Sequence, residues 1–127
     1  MYRILLADDD GIMLESLKKI IESEYGNECE IHCAKSGRAV VETAQAYPPD
    51  ICFMDIQMPK MNGYDAARAI RAMNRNYCRQ IPIIAMTANA FAEDVHAART
   101  VGMNGHIAKP LDLNRLAKTL KKWITVH

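Results

Sequence analysis

The sequence predicts a doubly wound α/β fold: a five-stranded parallel sheet in the order 2-1-3-4-5 with helices on both faces. Three observations predict it. Short apolar runs alternate five times with longer segments whose apolar residues recur at helical spacing, the pattern of repeated βα units joined by right-handed crossovers. The run from Ile51 to Met54 is continuously apolar, as in a strand covered by helices on both faces. Four of the five strand-like runs end on residues able to do chemistry, Asp8 and Asp9, Asp55, Thr87 and Lys109, and ligands bind at the carboxyl edge of such sheets.

Tyr2 to Ala7 reads as the first strand, ending on Asp8, Asp9 and Asp10. From Gly11 to Tyr25, Met13, Leu14, Leu17, Ile20 and Ile21 form the stripe of an amphipathic helix that Gly26-Asn27 stops. Glu30 to Ala34 is the second strand. Ser36 is placed to cap a helix that runs to about Ala46, before Pro48-Pro49. Ile51 to Met54 is the third strand, and Asp55 sits at its tip ahead of a loop with Pro59 and the turn pair Asn62-Gly63. The next helix, Tyr64 to Met73, packs through Ala66, Ala67, Ala69, Ile70 and Met73. Ile81 to Met86 is the fourth strand, and a helix from about Phe91 to Val101 ends at Gly102. His106 to Ala108 is a short fifth strand leading into Lys109-Pro110. The last helix, near Asp112 to Ile124, sets Leu113, Leu116, Leu120, Trp123 and Ile124 against Arg115, Lys118, Lys121 and Lys122, a face that the pattern reads as solvated.

With 127 residues the chain is expected to form one domain, 1-127, around a single core. A hydrophobic share of 50% with 24% charged residues is that of a globular protein. No apolar run approaches the roughly 20 residues that cross a membrane, and the start turns acidic too early for a signal peptide. A formal net charge of +1 gives no reason to expect direct nucleic-acid binding. Cys29, Cys33, Cys52 and Cys78 lack zinc-ligand spacing and read as buried free thiols, which implies a reducing, cytoplasmic setting. His32 and His96 have no partner at ligand spacing. Met54, Met58, Met61 and Met86 read as packing around the strand tips.

Asp55 alone would read as a residue that merely caps or solvates a strand end. The fold, however, collects Asp8, Asp9, Asp55, Thr87 and Lys109 on one edge. Three carboxylates there repel one another unless a cation neutralises them, and an all-oxygen set without His or Cys suits Mg²⁺. A carboxylate beside that ion can accept a phosphoryl group as an aspartyl phosphate. The metal, the Lys109 ammonium and the Thr87 hydroxyl would then each take one phosphoryl oxygen. Phosphoryl transfer demands mainly positioning and charge stabilisation, so no further base is required.

LLADDD, MDIQMPKMNG, IIAMTANA and HIAKP, in this order and spacing, resemble the receiver domains of bacterial two-component response regulators over nearly the whole chain. The resemblance implies a flavodoxin-like fold and a Mg²⁺-dependent phosphorelay function. Asp55 would be the phosphoacceptor, Asp8, Asp9 and Asp55 the metal-binding carboxylates, and the Gln57 backbone carbonyl a further metal ligand. Thr87 would be the switch hydroxyl and Lys109 the phosphoryl-stabilising cation, followed by a cis bond to Pro110. His106 stands where many receivers carry Tyr or Phe. A smaller, more polar ring puts the family's coupling of Thr87 to that aromatic in doubt, and a solvent-facing His106 is the competing reading. Gln57 and Asn89 would flank the approach of attacking water.

The stretch from Met86 to Pro110 looks most like receivers of hybrid sensor histidine kinases, which implies a histidine kinase or histidine phosphotransfer domain as partner. Such a module is a signalling switch rather than an enzyme with its own substrate. The other readings are an unphosphorylated pseudo-receiver serving as a protein-binding scaffold, and an α/β enzyme on a small phosphorylated substrate. The last lacks both GxGxxG and GxxxxGK[ST].

Overall fold

The computed structural model describes residues 2–58, 60–73, 81–87, 92–109 and 113–124. Pro59, Cys78, Asn89, Phe91, Pro110 and Asp112 lie outside the described residues, and so does the Lys109–Pro110 peptide bond. In chain order the elements are β1 (Tyr2–Ala7), α1 (Gly11–Tyr25), β2 (Cys29–Ala34), α2 (Gly37–Ala46) and β3 (Ile51–Asp55). There follow α3 (Gly63–Ala72), β4 (Ile83–Thr87), α4 (Ala92–Thr100), β5 (Gly105–Ala108) and α5 (Leu113–Ile124). A single 3-10 turn, Gly26–Glu28, separates α1 from β2.

Helices α1, α2 and α3 start where a side chain can satisfy their unpaired N–H groups. Asp10 Oδ1 accepts from the N–H of Ile12 at 3.0 Å and of Met13 at 3.3 Å. Ser36 Oγ accepts from Ala39 N–H at 3.1 Å, and Asn62 Oδ1 from Asp65 N–H at 2.9 Å. At the other end of α1, Gly26 takes a positive φ of 54°.

All strand pairs are parallel, and the order is β2-β1-β3-β4-β5. Alternation along each strand divides the interior into two layers. Leu5, Cys52, Met54, Ile83 and Ala85 face α2, α3 and α4, where Val40, Ala44, Ala66, Ala67, Ile70, Ala98 and Val101 meet them. Ile4, Leu6, Ile51, Phe53, Ile84 and Met86 face α1 and α5 and pack on Leu14, Leu17, Ile21, Leu116 and Leu120. With helices on both sides, every residue of β3 is buried. Arg115, Lys118, Lys121 and Lys122 of α5 are exposed, as their spacing predicts.

The register levels the strand tips. Ala7 lies opposite Met54, so Asp8 and Asp55 are each the next residue along neighbouring strands. Thr87 lies opposite Ala108, immediately before Lys109.

Three local expectations are corrected. The fourth strand begins at Ile83 rather than Ile81, because Pro82 has no N–H to donate to a ladder. It also takes in Thr87. Cys33 is exposed and Cys29 half-buried, whereas Cys52 is buried. Cys33 sits at the end of an edge strand, where the first turns of α1 leave a cleft that includes Cys33, Ile12, Glu15 and Lys35. Full enclosure by apolar neighbours pushes the Cys52 thiol up to about 12. His32 stacks on Tyr47 at 4.7 Å, whereas His96 is exposed.

Gly63 carries a strict steric demand. A Cβ there would overlap the Asp55 carbonyl oxygen and approach Ile56 Cα to 2.9 Å, because Gly63 N–H donates to Ile56 O at 3.0 Å and draws α3 onto the strand tip. Gly63→Ala is therefore expected to cost roughly 1–3 kcal/mol, as overpacking does. Urea denaturation of the two proteins measures it, and an unchanged midpoint would show that the loop relaxes freely.

Candidate functional site

β1, β3, β4 and β5 each end on one of the predicted residues, and the structure brings them to one lip. Asp8 and Asp55 are buried with 1% and 5% exposure, Thr87 is also buried, and Asp9 is exposed at the rim. One carboxylate oxygen from each of Asp8, Asp9 and Asp55 lies within 4.8 Å of the others. Lys109 reaches back from β5 and donates from Nζ to Asp8 Oδ2 at 2.9 Å, with Asp55 Oδ1 at 3.4 Å. Its backbone N–H donates to Thr87 O at 2.8 Å, so one residue joins the tips of three strands.

The two buried carboxylates are served differently. Asp8 Oδ1 accepts from Asp10 N–H at 3.0 Å, and Asp55 Oδ1 from Gln57 N–H at 3.1 Å. Burial on its own would raise Asp8, but the Asp10 N–H and the Lys109 ammonium outweigh it and hold that carboxyl below its ordinary value. Burial raises Asp55 too, and there the Gln57 N–H and the more distant Lys109 fail to offset it against the Asp8 charge. Asp55 therefore ends above the usual carboxylate value. Burial would lower Lys109, yet its two acids leave it raised and firmly charged.

Asp10, the third acid of the run, has a different task. Its side chain caps α1, and its backbone N–H fixes Asp8. A cap is legible from an Asp placed just before an amphipathic stripe, although three adjacent acids conceal which of them performs it. Gln57 is exposed at the lip, and Lys60, in the same loop, adopts φ 65°, a left-handed backbone that costs a non-glycine residue about 1–2 kcal/mol. Met54, Met58 and Met86 are buried behind the tips as packing. His106 is exposed on β5, beside a small hollow of about 60 Å³ lined by Ala98, Arg99 and Met103.

The donor set suits a hard divalent cation. It offers only carboxylate oxygens, two of them buried beside a third at the rim, where a small ion that keeps part of its water shell can be held.

Comparison with known proteins shows the family and the fold. A family model described as the response regulator receiver domain matches residues 4–121. The sensor protein GacS of Pseudomonas syringae pv. syringae is 34% identical over 95% of this chain, and the match covers 13% of that protein. The hybrid signal transduction histidine kinase L of Dictyostelium discoideum is 31% identical over 95% of the chain and 7% of its own length. The chain thus spans a small part of these curated relatives. Among solved structures, the chemotaxis protein CheY4 of Vibrio cholerae superposes with a TM-score of 0.88 at 25% identity, over 97% of this chain and 98% of that one. The receiver domain of a sensor histidine kinase from Pseudomonas aeruginosa PAO1, solved with a magnesium ion coordinated in its active site cleft, gives 0.85 at 31% identity, over 98% of each chain.

Because Asp55 titrates above its unfolded value, its contribution to stability is present at low pH and is lost as pH rises through the raised value. Asp8 is the opposite case: its contribution is present above the usual carboxylate value and is lost as pH falls through the lowered one. At neutral pH in EDTA, Asp55→Asn is expected to raise the melting temperature and Asp8→Asn to lower it, at about 4 °C per kcal/mol for a domain of this size. Calorimetry decides. Destabilisation by Asp55→Asn would mean that burial, together with the Asp8 charge, does not penalise the ionised Asp55 carboxyl.

Proposed function

Since the chain belongs to the family of response regulator receiver domains, the signalling modules of two-component systems, we propose that residues 1–127 act as one phosphoacceptor switch in which Asp55 is loaded from a phosphohistidine. The observation that carries this is the Lys109 ammonium held between two buried carboxylates, beside a third, on the same lip as Thr87. An Asp55 oxygen attacks phosphorus, the phosphorus–nitrogen bond to the donor imidazole breaks, and the electron pair and a proton stay with the imidazole. Lys109 and the Thr87 hydroxyl stabilise two oxygens of the incoming group. Asp8, Asp9, Asp55 and the Gln57 backbone carbonyl would hold Mg²⁺, whose charge offsets that of the acids and of the phosphoryl oxygens.

Lys109 must turn from Asp8 toward the new group, and a bound Mg²⁺ would offset the Asp8 charge left behind. The chain catalyses only its own loading and the later hydrolysis of the acyl phosphate. The resulting population shift alters the surface around α4, read by a histidine kinase or a histidine phosphotransfer domain. The likeness to hybrid kinases supports that choice of partner. A scaffold that is never phosphorylated has no use for three crowded acids with a shared cation, so the pseudo-receiver reading receives no support. His106 faces solvent and takes no part in this scheme.

With acetyl phosphate and Mg²⁺, the protein should acquire an acid-stable, base-labile label that EDTA prevents and Asp55→Asn abolishes. Lys109→Ala should slow labelling by at least about tenfold, as the loss of a charged transition-state contact does. A label that persists in Asp55→Asn would remove Asp55 from this role.

A further inference from the structure

Helix α4 is fastened at its C-terminal end by a structure that the phosphoryl chemistry does not use. Gly102 adopts φ +92° and closes the helix with two bonds, Gly102 N–H to Arg99 O at 3.0 Å and Met103 N–H to Ala98 O at 2.9 Å. Ala98, Val101 and Met103 are buried under this turn. From α3, on the same face of the sheet, Arg71 donates to Gly102 O from Nε at 3.1 Å and Nη2 at 2.7 Å, and to Asn104 Oδ1 at 2.8 Å. Asn104 is bound in turn to the start of β4, donating to Ile83 O at 2.7 Å and accepting from Ile83 N–H at 2.9 Å. The clamp therefore runs from α3 through the turn after α4 to the amino-terminal edge of the sheet, opposite the acid lip.

We infer that Arg71, Gly102 and Asn104 form a fixed pivot, so that loading of Asp55 tilts α4 about its C-terminal end instead of sliding the whole helix. The inference rests on the switch reading above and adds a direction to it. Only residues 88–91 separate Thr87 from α4, so a change at Thr87 enters the helix at its first turn. The last turn cannot follow without breaking charge-assisted bonds that a planar guanidinium makes to two acceptors at once. The Gly102 position is equally specific: a Cβ there would meet Arg71 Cγ and Nε at 3.1 Å as well as a strained φ. The surface offered to a partner then changes most at the N-terminal half of α4 and least near Gly102.

The test is amide NMR of the full chain in Mg²⁺ with and without beryllofluoride, a phosphoryl mimic. Thr87 and the residues from Ala92 to His96 should shift, whereas Gly102, Met103 and Asn104 keep their positions. In Arg71→Met the shifts should spread to Gly102–Asn104, and exchange of the Gly102 and Met103 amides in the metal-free protein should speed up by about tenfold. Equal shifts at Thr87 and Gly102 in the natural protein, or a loading pattern untouched by Arg71→Met, overturn the pivot. Absence of any shift at Asp55 and Gln57 would instead refute the switch reading, and unchanged exchange in the variant would still refute the clamp. If Arg71→Met does not fold, Arg71→Lys keeps the charge and gives up the fork.

Discussion

The contact between Lys109 and Asp8, 2.9 Å long and mostly enclosed, is the constraint on which the lip depends. Without the ammonium, two neighbouring buried carboxylates would face each other with only two backbone N–H groups between them. Removing one partner of a buried pair typically costs about 3–5 kcal/mol, whereas replacing both by apolar residues is often neutral. Stability alone therefore does not require these groups. They form a charge arrangement that is incompletely compensated at Asp55, whose carboxyl stays above its usual value while Asp8 is held below it. One acid is thus committed to the lysine, and the other is left available.

That asymmetry follows from sheet geometry. In a parallel sheet every strand delivers its last residue to the same edge, and the β1-β3-β4-β5 order lines up Asp8, Asp55, Thr87 and Lys109 without any long-range loop. Burial of the β3 residues by helices on both faces then sets the low-dielectric wall behind Asp55. Gly63 completes the wall by letting α3 start against the strand tip, where no side chain fits.

The sequence made the fold legible because the periodicities are strong and uninterrupted: a continuous apolar run at Ile51 to Met54, and a helical stripe from Met13 to Ile21. The site was legible for the same reason, since strand ends are where a parallel sheet exposes its residues. Cys33 escaped because period-2 alternation shows which face a residue shares, not whether a helix reaches that end of an edge strand. The Ile83 boundary was missed by treating Pro82 as strand, although its missing N–H argued against it. Arg71 left no local trace at all. The two acceptors of the clamp lie 31 and 33 positions away, and one of them is a backbone carbonyl, which any residue carries.

The two ends of the β4–β5 pair are laced by different chemistry. At the acid lip, Lys109 N–H is bound to Thr87 O while its ammonium answers to Asp8 and Asp55, so any change in charge there bears on the β4 tip through a single residue. At the opposite edge, Asn104 holds Ile83 through both backbone and side chain, in bonds that involve no titrating acid and have no reason to respond. Helix α4 is the connection between these strands and inherits both boundary conditions: an entry next to a charge-sensitive tip and an exit tied to neutral amides and one guanidinium. A packed interior resists continuous deformation. Under the switch reading proposed above, the compliance available to this crossover lies toward Thr87, and an electrostatic change at Asp55 would act on the surface from that end.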